Sequence, residues 1–219
     1  MRKTLISAIT ALSLILPACT KNSLEQQILE QTMIHQTTMF GEAHSTPNDD
    51  NLVISLMPEL KKQGYTIFAV ELPTNIQDLI DDIPNISNNK YISELIKRTN
   101  TMQLWGDGAY KIIKKAHDQG FKVIAYDNWD FDIYSRDQKQ YLNLKTLIFN
   151  EHPQAKVIIF GGAKHISETI EYVSHKDQII IKPLGSYIHK FNNNNFSLDM
   201  TGRNSYKPDA RIVNGKLTK

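Results

Sequence analysis

An α/β fold, with a mostly parallel central sheet flanked by helices, is predicted by three observations on this sequence. Short apolar runs, "TIFAVELP" (66–73), "KVIAYD" (122–127) and "AKVIIFGG" (155–162), alternate with segments of helical period. Gly64 and Gly120 stand where the helical segments should stop. Helices of about ten or more residues between strands imply right-handed βαβ crossovers and therefore parallel pairing.

The first eighteen residues are set aside from the fold. "MRK" is a basic start and "TLISAITALSLIL" an apolar stretch short for a membrane span, the pattern of a signal peptide. "LPAC" then resembles a bacterial lipobox, which implies cleavage before Cys19 and acylation of that residue with chains such as palmitate. Residues 1–18 are thus read as a signal peptide, 19–30 as a lipidated tether and lead-in helix, and 31–219 as one α/β domain. The expected location is the cell envelope, lipid-anchored to the membrane through Cys19. With Thr20 after it, sorting to the outer membrane facing the periplasm is expected if the host is Gram-negative. Cys19 is the one cysteine, so no intramolecular disulfide and no thiolate metal cluster can form. Losing residues 1–18 removes Arg2 and Lys3 and no acid, which brings the net charge of +2 to zero. No basic run argues for nucleic acid as a partner.

In order along the chain, "LEQQILEQT" (24–32) reads as a lead-in helix, residues 51–65 as a helix and 66–73 as a strand. Residues 74–107 form a small, mainly helical insertion, broken by an Asn-rich loop around Pro84. A helix over 107–120 precedes the strand 122–127, and "SRDQKQYLNLKTLIFNEHP" reads as a helix ended by Pro153. After the strand 155–162, "ISETIEYVSHK" reads as a helix and "QIIIKPLG" as a last central strand. The tail, with its Asn run, reads as a loop followed by an irregular or β-like cap.

Parallel α/β sheets place ligands beyond the carboxyl ends of their strands. Four runs end in polar residues there: Glu42 and His44 in "FGEAH", Glu71 in "FAVELP", Asp127 in "KVIAYD", and His165 in "FGGAKH". Gly41 and Gly162 each fall three residues before a histidine, so His44 and His165 occupy equivalent positions of two βα units. Two imidazoles with a carboxylate or two are a plausible ligand set for a divalent metal ion that activates water. Taken alone, each Gly-x-x-His is a short motif of little specificity; the pairing is what carries the expectation. Asp127 suits a supporting or metal role as well as a turn, and Glu168 either shares a face with His165 or is a first-turn acid. Trp129, Phe131 and Tyr134 are placed to wall an apolar ligand or to pack a loop. His35, His117, His152, His175 and His189 stand in polar or helical surroundings and read as surface residues.

"FGEAH", "FAVELP", "SRDQ" and "IIFGGAKH", in that order, resemble the superfamily that joins the erythromycin esterases, the ChaN-like haem-binding lipoproteins, the TraB/GumN proteins and the Tiki metalloproteases. The resemblance covers residues 37–185 and is specific in pattern but not in activity. It implies that Glu42, His44, Glu71, Arg136 and His165 line the site. Among them His44, His165, Glu42 and Glu71 are the implied metal ligands, for Mn, Co, Zn or Fe. One glutamate is the implied general base, and Arg136 the partner of a carboxylate or of a developing oxyanion. The expectation is an envelope-tethered, metal-dependent hydrolase of the esterase or peptidase type, acting on a small molecule or a peptide. The alternative is a ChaN-like lipoprotein that binds haem or another cofactor without hydrolysing anything, and a third is an adaptor whose site is vestigial.

Overall fold

The computed structural model describes residues 23–44, 46–99, 107–128, 133–167, 172–173, 180–192, 194–201 and 208–218. The expected signal peptide, Cys19, Trp129, Phe131, Glu168 and His175 lie outside the described residues, as does the side chain of Tyr134. No described helix is long and apolar enough to cross a membrane.

Helix α1 (Leu24–Met33) is capped by Ser23, whose hydroxyl accepts from Gln26 N, and leads into strand β1 (Thr37–Glu42). Helix α2 (Pro47–Lys62) carries a proline at its start, Asp49 and Asp50 in its first turn and Lys61 and Lys62 in its last, each charge complementing the helix dipole. Gly64, at φ +90°, ends it and starts β2 (Tyr65–Pro73). The insertion follows as a 3₁₀ turn, α3 (Gln77–Asp81), a second 3₁₀ turn through Pro84 and α4 (Asn88–Thr99). Then come α5 (Asp107–Asp118), β3 (Lys122–Asp127) and α6 (Ile133–Leu144), which continues as a π-helical turn over Lys145–Phe149 before β4 (Lys156–Gly162).

Beyond β4 the structure corrects the sequence reading. Tyr172–Val173 (β5) and Ile180–Ile181 (β6), expected in a helix and a central strand, pair with each other as an antiparallel two-stranded sheet of their own. "KPLG" turns into helix α7 (Leu184–Phe191). The central place goes to β7 (Asn195–Asp199), in what was read as a loop and cap, and the chain closes with β8 (Ala210–Val213) and β9 (Lys216–Thr218). The reason lies in alternation: Phe196 and Leu198 point into the core while Ser197 faces the other way, a short strand signal masked by the asparagines before it.

The seven-stranded sheet has the order β3-β2-β4-β1-β7-β8-β9, with every pairing parallel except β8 with β9. One face, bearing Phe40, Phe68, Val70, Ile158 and Phe160, packs under α1, α2, α5 and the insertion. The other, bearing Met39, Ile67, Ala69, Ile124 and Ile159, packs under α6, its π turn and α7. Because side chains alternate along β2, Glu71 follows Ile67 and Ala69 onto the α6 face. His35 and His117, read as surface residues, are half-buried and meet the backbone carbonyls of Gln31 and Ile80 at 2.6 and 3.0 Å, whereas His152 and His189 are exposed.

Candidate active site

The carboxyl ends of β1, β2, β3 and β4 gather a polar cluster that α6 completes. Glu71, fully buried, accepts three hydrogen bonds: Oε1 from Arg136 Nη2 at 2.7 Å and Gln140 Nε2 at 3.2 Å, and Oε2 from Gly162 N at 2.6 Å. Arg136 also grips buried Asp127, with Nη2 to Oδ2 at 2.6 Å and Nε to Oδ1 at 3.2 Å. Arg136 and Gln140 lie four residues apart on α6, so one helix face reaches both strand-end carboxylates. Burial alone would lower the guanidinium's pKa, but the hydrogen bonds it donates to Asp127 and the charges of Glu71, Asp127 and Asp137 hold it above its ordinary value.

Each histidine has its own carboxylate. His44 Nδ1 donates to Glu42 Oε1 at 2.9 Å, and His165 Nδ1 donates to Asp137 Oδ1, from α6. His165 Nε2 faces Glu71 Oε1 at 3.4 Å, so this imidazole lies between two acids. Burial would lower its pKa, but the charge of Glu71 and the hydrogen bond and charge of Asp137 outweigh that and raise it to about 9. The two acids thus favour the imidazolium form of His165. His44 is also raised: burial opposes the shift, and the Glu42 hydrogen bond with the charges of Glu71 and Glu42 overcomes it.

The two rings converge over Gly162. A Cβ there would lie 3.1 Å from His44 Nε2 and 3.3 Å from His165 Cδ2, so a glycine lets both rings approach this strand end closely. Gly161 is required for a different reason: a side chain would strike the Tyr126 hydroxyl and come within 2.7 Å of Glu71 Oε2.

All five residues singled out from the sequence meet here, with Asp127 beside them. Asp137, Gln140 and Tyr126 were missed. Gln140 lies four residues after Arg136, and that helical spacing is the signal that could have found it; Asp137 directly follows Arg136 in "SRDQ", and no spacing marks it. Among the described residues no group of three or more His, Asp or Glu side chains is placed to hold a metal ion. Glu71 already accepts three hydrogen bonds, from Arg136, Gln140 and Gly162 N, and His165 Nδ1 is committed to Asp137.

Next to His44, Asp49 and Asp50 at the start of α2 add two more buried acids, with Asp49 Oδ2 accepting from Ala43 N at 3.0 Å. Burial, Glu42 and Asp49 push Asp50 up to about 6 against the pull of Lys111.

No protein-family model matches the sequence, and no curated protein matches it by sequence. Solved structures share its fold. The type III effector HopBA1 is similar with a TM-score of 0.56 at 16% identity, covering 90% of each chain. The C-terminal region of Pasteurella multocida toxin, which has a thiol-protease-like catalytic triad, gives a TM-score of 0.58 at 12% identity; 82% of this chain matches 25% of that one. ChaN of Campylobacter jejuni, which binds haem cofacially, gives 0.51 at 13% identity, over 80% of this chain and 84% of that one. At such identities the likeness is one of fold, and it supports a distant ChaN-like architecture.

Proposed function

We propose that the chain is a hydrolase whose working groups are the facing pairs His44–Glu42 and His165–Asp137, on a lipoprotein tethered through Cys19 to the cell envelope. The observation that carries this reading is the convergence of the two carboxylate-paired imidazoles over Gly162. A general base must be oriented by a third group and lie within reach of a water, and His44 on Glu42 meets the first need. His165, held as an imidazolium, is suited to stabilise a developing oxyanion or to protonate a leaving group. Arg136, engaged by Glu71 and Asp127, acts as the brace that keeps both carboxylates in place. A cysteine nucleophile is not supported, because the chain's one cysteine is Cys19. The substrate is a carboxylic ester or a peptide, the classes that such acid–base pairs hydrolyse without a covalent intermediate.

Haem capture is the second reading, favoured by the likeness to ChaN over most of both chains. Iron ligation by His165 would require Nε2 to lose the proton that Asp137 and Glu71 favour, which argues against that residue as the ligand.

One preparation tests both readings. The form beginning at Thr20 is purified without chelator, analysed for bound metals, titrated with haem, and screened against ester and peptide substrates alongside His44→Gln. Turnover lost in the variant, with no saturable Soret shift, supports the hydrolase. A saturable Soret shift without turnover overturns it in favour of haem capture, and stoichiometric metal would restore the metal-dependent mechanism. Acyl labelling of the full chain, absent in Cys19→Ala, tests the anchor.

A further inference from the structure

His165 rides on the turn 163–167, and three backbone hydrogen bonds fix that turn. Ala163 N donates to Glu42 O at 2.9 Å, His165 N to Gly162 O at 2.9 Å, and Gly185 N to His165 O at 2.8 Å. The first two come from strand ends. The third comes from the first turn of α7, where amides lack intrahelical acceptors and seek others.

Gly185 is a poor choice for a helix on propensity alone. Nor does its backbone require glycine, because the positive-φ glycines among the described residues are Gly64, Gly120 and Gly215. What it supplies is space. A Cβ at 185 would strike the Ile166 carbonyl oxygen, and would lie 2.6 Å from Ile166 C and 2.7 Å from Ser167 O. These are backbone atoms, which cannot rotate out of the way as a flexible side chain does.

Nor can the turn retreat toward the sheet. On that side a Cβ at Gly41 would already lie 2.5 Å from Ile166 Cδ1 and 2.8 Å from Ala163 Cα, so the turn is pressed against β1 as closely as it is against α7. Ile166, buried between them, fills the gap.

We propose that Gly185 is a positioning residue for His165: its bare backbone lets α7 clamp the turn and hold the imidazole between Asp137 and Glu71. The inference rests on His165 being a working group of the site, and it adds to the motif residues a determinant twenty positions downstream. Any side chain at 185 must move α7 or the turn, and moving the turn draws the ring away from Asp137.

The test is the imidazole N–H of His165 in histidine-labelled protein, observed by NMR. A strongly hydrogen-bonded Nδ1–H resonates far downfield. Gly185→Ala is expected to remove that signal or shift it upfield, while Gly215→Ala, in a strained turn with nothing within 4 Å of the new methyl, leaves it unchanged. An unchanged signal in folded Gly185→Ala overturns the proposal. Should that variant not fold, hydrogen exchange in the wild-type protein decides. The Gly185 amide should be as protected as that of Ala163, and exchange at the rate of an exposed amide would overturn the clamp. Neither readout uses a substrate, so a failed substrate screen and a failed clamp are distinguishable.

Discussion

His44 and His165 occupy equivalent ends of two neighbouring strands, yet they are held in different ways. His44 takes its carboxylate from two residues upstream on the same strand end, and its side chain is 28% exposed. His165 takes its partner from α6, twenty-eight residues away, has a second acid within 3.4 Å, and is 17% exposed. The Glu42 hydrogen bond, with the charges of Glu71 and Glu42, raises His44 above its ordinary value. Two carboxylates favour His165 as a cation, and the difference divides the work into base and acid.

That division is open to attack by substitution. His44→Gln and His165→Gln are each expected to lower turnover by about 10²–10⁴-fold. Asp137→Asn should cost on the order of 10²-fold or more, because it removes the charge that orients His165. It should also move the alkaline limb of the pH–rate profile down from about 9. Glu42→Gln should instead move the acid limb down, since it removes a group that raises His44. If both variants shift the same limb, the two histidines do not have separate roles.

Gly162→Ala probes the shared space. The methyl would press on both rings by a few tenths of an ångström, and an activity loss of about tenfold with an unchanged melting temperature is expected.

Stability should report the same asymmetry. His165 has a folded pKa above its unfolded value, so its contribution is fully present below about 6.5 and is lost as pH rises through about 9. Thermal melts across that window should fall in the wild-type protein and flatten in His165→Gln. Asp50 costs stability in a lower window. As a buried acid raised from 3.8 to about 6, its cost builds as pH rises between those two values and is complete above about 6, so Asp50→Asn should raise the melting temperature by a few degrees at about pH 7.5 and leave it unchanged at about pH 3.5.

The contrast also explains what was legible in the sequence. The His44–Glu42 pair lies within five residues, so spacing and strand context display it. The His165–Asp137 pair depends on how α6 crosses the sheet, and no local pattern encodes that. The central strands were legible because they are apolar on both faces; β7 was not, because its five residues follow an asparagine run. The segment after His165 misled for a related reason: "ISETIEYVSHK" has helical spacing, but its tyrosine and valine pair across a small separate sheet. The metal expectation followed from residue types. That Glu71 accepts from Arg136, Gln140 and Gly162 N is a tertiary fact that types alone do not convey.

The most direct test of the central claim is an NMR titration of the histidine side chains in the wild-type protein. The account predicts that His165 stays protonated through neutrality and titrates near 9, with His44 titrating above 6.5 but before it. A His165 that loses its proton at or below 6.5 would contradict the assignment of an imidazolium to this site.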